Sequence, residues 1–341
     1  MKLEFFNRTA EDQATIIREA AAKRGISAVM VEKDFWVSWT LASLFSHPEF
    51  SEQLVFKGGT SLSKVFGVIE RFSEDIDLSV SPGFVGIKEE WVDEAESRNK
   101  RTERMKQLEA ACIEKVRKRF APELERIAQD SLGKPKKGTQ WTEFQVDDDT
   151  HSPVVLFHYP SNEATGFEYL RRSVKIEFGS LTDQKPAGKH GIKPWIAKEF
   201  PQLFHDFQCE LTALELERTF WEKATILHAE YHRDPANPIR DRFSRHYADT
   251  AAIATNCDIS PVLSNGELRQ HVADWKSRFF PSTWARYDLA RPGTFRLVPP
   301  EFRRPELEKD YLAMQPMFLN EPQSFASIIE ILTDLERRIN Q

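Results

Sequence analysis

The chain has 341 residues, 40% of them hydrophobic, with 25 Phe, three cysteines and a net charge of −6. That is enough apolar material for a large core and predicts two subdomains, while no apolar run nears a membrane span and the charges in MKLEFFNRTAEDQ come too early for a signal peptide. Cys112, Cys209 and Cys257 are odd in number and lack CxxC spacing, which argues against a disulfide frame or zinc site and for small buried hydrophobes in a reducing cytoplasm; the negative charge argues against tight nonspecific nucleic-acid binding.

Residues 10–46 predict two helices. The second, VMVEKDFWVSWTLASLF, has a broad apolar face of Val31, Phe35, Val37, Trp39, Leu41 and Leu44, interrupted by Glu32, Lys33 and Asp34. For Lys33 an internal salt bridge is set against a phosphate contact.

Residues 54–80, LVFKGGTSLSKVFGVIERFSEDIDLSV, predict a strand, a Gly-Gly-Thr turn opening a helix, and a second strand. Leu62, Val65, Phe66 and Ile69 have helical spacing, so the helix is expected to run through SLSKVFGVIERF. Along the second strand Asp75 and Asp77 point one way, with Ile76 and Leu78 turned to the core. Two adjacent carboxylates repel unless a cation lies between them, and magnesium suits such a pair because water and substrate phosphates complete its shell. Gly58, Gly59 and Thr60 offer a phosphate cradle, with a hydroxyl also on Ser61 and an ammonium on Lys64. Either half alone fits a plain strand-turn-helix with an acidic tip. Joined in so short a span, they point to a nucleotide site.

The combined pattern, KGGTSLSK followed by RFSEDIDLS, resembles the AbiEii-type nucleotidyltransferases. These are the toxin components of bacterial type IV toxin–antitoxin and phage-defence systems, among them the mycobacterial MenT toxins, within the polymerase β-like superfamily. The turn differs from the ATPase P-loop, since no GxxxxGK[ST] spacing is present. The resemblance implies that the Glu32-Lys33-Asp34 segment packs beside the nucleotide pocket.

After SPGF, residues 87–130 predict charged helices with a stripe of Leu108, Cys112, Val116 and Phe120, a helical insertion between core strands. GKPKKGTQ reads as a loop, WTEFQVDDD and PVVLFHYP as paired strands, and Asp147-Asp148-Asp149 as a solvated turn. In SVKIEFG, Val174, Ile176 and Phe178 alternate with Lys175 and Glu177. Superfamily members use a third carboxylate from a neighbouring strand, which implies Glu177 as a metal ligand; the competing reading is a strand position paired with Lys175.

From about residue 206 helical periodicity runs through Leu211, Leu214, Phe220, Trp221, Ala224 and Leu227, and Lys223 lies at the edge of that stripe. The resemblance gives Lys223 a triphosphate contact. It matches RDRFSRHYADTAAIA to the family helix that supplies a further carboxylate, Asp249, with His246-Tyr247 departing from the commoner acidic-hydrophobic pair. Asp249 could equally pair with Lys223. By resemblance Ser73, Asp75, Lys223 and Asp249 form the essential set, with Asp77 the second metal ligand. Basic clusters at 115–120, 134–137, Arg171-Arg172 and 239–247 are either an RNA-binding face or solvated charge. Trp284 and Tyr287 beside Arg286 and Arg291 are read as core packing, against base stacking.

The expected fold is α+β: a polymerase β-like core with a mixed sheet and helical insertion over 1–205, and a mainly helical domain over 206–341. The expected activity is Mg²⁺- or Mn²⁺-dependent transfer of NMP from an NTP to RNA, the tRNA 3′ end foremost, by a cytoplasmic toxin with a cognate antitoxin. Transfer to a protein hydroxyl is the alternative, and a non-enzymatic nucleotide- or partner-binding module the second.

Overall fold

A computed structural model describes residues 3–87, 97–161 and 172–341. Arg171 and residues 88–96 of the expected insertion lie outside them. The chain divides into two compact units, residues 1–65 with 74–214, and residues 66–73 with 215–341.

The first unit opens with helices α1 (Ala10–Arg24) and α2 (Ala28–Phe45). Thr9 caps α1 by accepting from the Asp12 amide at 3.1 Å, and Gly25, at φ 67°, ends it. Val31, Phe35, Trp39 and Leu41 of α2 are fully buried. So are Glu32, Lys33 and Asp34, which form no exposed face. Strand β1 (Leu54–Lys57) leads directly into the short helix α3 (Gly58–Lys64), and β2 (Ile76–Val80) follows. The helix expected through Ile69 stops at Lys64, and Gly67 takes φ 64°. Val68 and Ile69 are buried, but not by helical packing.

The insertion is one continuous helical run: α4 (Arg98–Lys115), a π-helical turn over Val116–Phe120, and α5 (Ala121–Leu132). Pro122 lacks an N–H and crowds the carbonyl four residues back, and the widened π turn precedes it directly. The Leu108, Cys112, Val116 and Phe120 stripe is buried as expected. Next come β3 (Thr142–Val146), β4 (Pro153–Phe157), β5 (Val174–Gly179), β6 (Ala187–Gly191), α6 (Trp195–Glu199) and β7 (Glu210–Leu214). Residues 210–214, expected as helix, form a strand instead; they pair parallel to β1 and antiparallel to β6, and Leu211, Ala213 and Leu214 are buried in that sheet. The sheet order is β3-β4-β5-β2-β1-β7-β6, with β2 parallel to β5 and antiparallel to β1. This mixed sheet with helices is the expected α+β class.

The second unit holds α7 (Leu216–Tyr231), α8 (Ser244–Asn256), α9 (Ser260–Ser264), α10 (Gly266–Phe279), α11 (Arg304–Ala313) and α12 (Phe325–Asn340). Residues 66–73 are stitched into it. The Phe72 amide donates to the Met317 carbonyl at 2.7 Å, the Leu319 amide to Glu70 at 2.9 Å, and the Asn256 side chain to Val68 at 2.9 Å. Asp310 accepts from the amides of Arg242 (2.6 Å) and Ser244 (2.8 Å) and so fixes the start of α8. Among the described residues no helix is long and apolar enough to cross a membrane.

His228 of α7 is fully buried and accepts from the Arg296 amide through Nδ1 at 3.0 Å, so Nε2 carries the proton donated to the Arg286 carbonyl, also at 3.0 Å. Burial pushes its pKa down to about 4. The unfolded chain, with an ordinary histidine near 6.5, therefore binds the proton first, and stability is full above pH 6.5 and falls as pH drops toward 4. Unfolding midpoints across that window should show a loss on the order of 3 kcal/mol that His228→Gln lacks; equal pH dependence in the two proteins would exclude this assignment.

Candidate active site

In the first unit the sheet register sets the charges. Lys57, Asp77 and Glu177 are direct cross-strand partners on β1, β2 and β5, and all three are half-buried on one face. Asp75 lies one residue ahead of β2, two before Asp77, while Ile76 and Leu78 are fully buried in the core. The diglycine turn touches this strand. Gly58 has φ 83°, and a Cβ placed on it would overlap the Asp77 carboxylate, lying only 2.9 Å from Cγ. Glycine is required there twice over, for the backbone angle and for the space. Thr60 Oγ1 donates to the Asp75 carbonyl at 2.5 Å, and Ser61 Oγ to the Gly58 carbonyl at 2.8 Å. Both hydroxyl protons thus close the turn. Phosphates brought here would meet main-chain N–H groups and the space left by absent side chains.

Burial pushes the Asp75 carboxyl up to about 6, and Asp77, Glu74 and Glu177 add repulsion that Lys175 only partly offsets. Glu177 accepts from Lys175 at 2.5 Å. Among the described residues no three His, Cys, Asp or Glu side chains converge to form a metal cage. The donor set is therefore a pair of hard oxygen ligands in a surplus of negative charge. That chemistry fits magnesium or manganese, which binds few protein carboxylates and leaves positions for water and phosphate.

Two further lysines are engaged near this frame. Lys64 donates to Asp34 at 2.5 Å with both side chains almost wholly buried, and Asp34 also accepts from the Trp195 amide at 2.7 Å. Burial raises the Asp34 carboxyl and lowers the Lys64 ammonium, each opposed by the other's charge. Lys33 pairs with Glu74, the internal salt bridge set against a phosphate contact.

In the second unit Asp249 of α8 is fully buried between two cations. Arg71 Nε and Nη2 each donate at 2.7 Å, one to either carboxylate oxygen, and Lys223 Nζ donates at 2.8 Å. Burial alone would raise this carboxyl, but Arg71 and Lys223 hold it well below the usual range. Burial and the neighbouring Arg71 lower Lys223, opposed by Asp249. Burial, Lys223 and Arg245 keep His246 neutral, and its Nδ1 has no hydrogen-bond partner. Ser73 is half-buried in the segment that carries Arg71.

A match to the family described as "Nucleotidyl transferase AbiEii toxin, Type IV TA system" runs over residues 39–331. The chain belongs to this AbiEii nucleotidyltransferase toxin family. No curated protein matches it. Among solved structures it is similar to MenT4, nucleotidyltransferase toxin Rv2826c from Mycobacterium tuberculosis H37Rv, at 15% identity and a TM-score of 0.49, over 96% of this chain and 89% of that one.

The AbiEii chain thus places Gly58, Gly59, Thr60, Asp75, Asp77 and Glu177 in the first unit, and Ser73, Lys223 and Asp249 in the second. Two residues escaped the sequence reading. Arg71 lies inside the quoted RFSEDID motif, yet its partner Asp249 is 178 residues on; Lys57, the first letter of KGGT, gains its place opposite Asp77 only through strand register.

Mg²⁺ added to EDTA-treated protein should raise the thermal midpoint by a few degrees in wild type and not in Asp75→Asn, since a ligand of the folded state stabilises by mass action. Equal rises would place the ion elsewhere. Asp249→Asn leaves two buried cations uncompensated and should lose about 3–5 kcal/mol in urea unfolding; a loss under about 1 kcal/mol would refute its holding role.

Proposed function

We propose that this nucleotidyltransferase depends on Mg²⁺ or Mn²⁺ and transfers NMP from an NTP to an RNA acceptor, foremost a tRNA 3′ end. The observation that carries the reading is the Asp75–Asp77 pair fastened to the diglycine turn, an ion-binding acid tip against a surface cleared of side chains. Asp75 and Asp77 would hold the ion, with Glu177 as the third expected ligand in the same strand row. When bound, the ion supplies neutralisation of phosphate charge and a lower pKa for the attacking hydroxyl. The acceptor oxygen bonds to the α-phosphorus, the bond to the β-phosphate oxygen breaks, and pyrophosphate leaves with the electron pair.

The chain's own residues do the positioning. Gly58 and Gly59 let phosphate oxygens approach the main chain, and Lys57 faces Asp77 with a compensating charge. Lys223, assigned to the triphosphate, is held ready by Asp249, and Arg71 fixes Asp249 in turn. Lys64 was expected at the phosphates too; its buried pair with Asp34 suits it better to holding α3 in place. Basic segments at 115–120, 134–137 and 239–247, in a chain of net charge −6, support RNA as the acceptor. Family membership supports a cognate antitoxin, a role in phage defence and a cytoplasmic site of action.

Incubation with each α-³²P-labelled NTP, Mg²⁺ and either total RNA or total protein tests this. Label should enter RNA. Asp75→Ala should lose at least about 100-fold in transfer while keeping a folded circular dichroism spectrum. Label in protein alone would redirect the acceptor to a protein hydroxyl, no label in either would leave a binding module, and near-normal transfer by Asp75→Ala would remove the acid pair from the chemistry.

A further inference from the structure

Residues 276–291 concentrate positive charge in an acidic chain, with Lys276, Arg278, Arg286 and Arg291 against Asp288. The large side chains of this stretch divide sharply. Phe279 is 1% exposed and Ala285 fully buried, yet Phe280 and Trp284 are 40% and 43% exposed. The backbone between them is pinned at both ends. Phe279, the last residue of α10, packs on Trp275 with ring centroids 4.3 Å apart. On the other side Arg286 takes a left-handed φ of 46°, and its carbonyl accepts from the buried His228 at 3.0 Å. Four residues of chain between two such rings span at most about 14 Å, within reach of successive bases of one strand.

Exposed rings of this size have a cost in water, and the charges around them indicate what covers them. Lys276 Nζ lies 4.9 Å from the centre of the Phe280 ring. Arg286 pairs with Asp288 at 3.1 Å, so the one acid of the stretch is already taken. The centres of protein–protein interfaces are depleted in lysine and in charge generally, whereas aromatic rings beside a run of cations are how single-stranded nucleic acids are held, bases on the rings and phosphates on the cations.

We propose that Phe280 and Trp284 form a stacking platform for the bases of a single-stranded RNA acceptor, with Lys276, Arg278 and Arg291 contacting its phosphates. The platform rests on the RNA-acceptor reading above and adds where the strand is recognised. Duplex RNA, whose bases are stacked on each other, is not its ligand.

The test is binding of a fluorescein-labelled unstructured 12-nucleotide RNA to the full chain, by anisotropy in EDTA and without NTP. Phe280→Ala/Trp284→Ala should weaken binding by about tenfold or more, and Phe280→Tyr/Trp284→Phe should stay within about threefold of wild type. The same sequence as a duplex should compete poorly. Unchanged affinity in the folded double alanine variant, or equal competition by duplex, overturns the platform. So does loss of a dimer in that variant on gel filtration with RNA binding intact, which would make the rings an interface between copies. Ring-dependent binding without label transfer would sink the transferase reading alone, and undiminished RNA labelling by the double variant would sink the platform alone.

Discussion

The close approach of Gly58 to Asp77 governs the first unit. A backbone at φ 83° with no Cβ lets the turn lie against the carboxylate, and the Thr60 hydroxyl ties the same turn to the Asp75 carbonyl at 2.5 Å. Main-chain geometry, not flexible side chains, thereby sets the distance between the acid tip and the surface open to phosphate. Any larger residue at 58 would have to displace the turn or the acid, and either shift would separate an ion from the phosphates it must neutralise.

The charges of the two units are of opposite kinds. Around Asp75 the first unit gathers Asp77, Glu74 and Glu177 against Lys175, so a cation is welcome there. Around Asp249 the second gathers Arg71, Lys223 and Arg245, so an anion is. A nucleoside triphosphate with its divalent ion offers both. Neither cluster is arranged for stability alone, because a buried carboxyl raised to about 6 is a standing cost that folding carries for chemistry.

Local patterns in the sequence were legible where the contacts they imply are local. The alternation in SVKIEFG put Val174, Ile176 and Phe178 in the core and Lys175 beside Glu177, as found. The Asp75-x-Asp77 spacing likewise survives folding. Reading failed where tertiary contacts overrode periodicity. Leu62, Val65, Phe66 and Ile69 have helical spacing, yet Gly67 at φ 64° diverts the chain into the second unit from residue 66. Leu211 and Leu214 fit a helix as well as they fit β7, and only pairing with β1 and β6 decides. The fate of Lys64 depended on Asp34, 30 residues away, and that of Arg71 on Asp249, 178 away. No window of sequence contains such partners.

The three consecutive charges of α2 show why partners so distant are kept. Glu32 accepts from Ser161 at 2.7 Å, Lys33 pairs with Glu74 beside the acid tip, and Asp34 takes both Lys64 of α3 and the Trp195 amide of α6. A buried ion pair adds little net stability, since desolvation consumes most of its attraction and apolar residues of equal volume would serve as well. Apolar contacts, however, tolerate sliding, whereas a charged hydrogen bond is satisfied in one arrangement. Three such bonds from successive turns of a rigid, fully buried helix fix α3, the residue before Asp75 and α6 relative to one another. The helix that looks least functional by composition is thus the part that holds the diglycine turn against the acid strand.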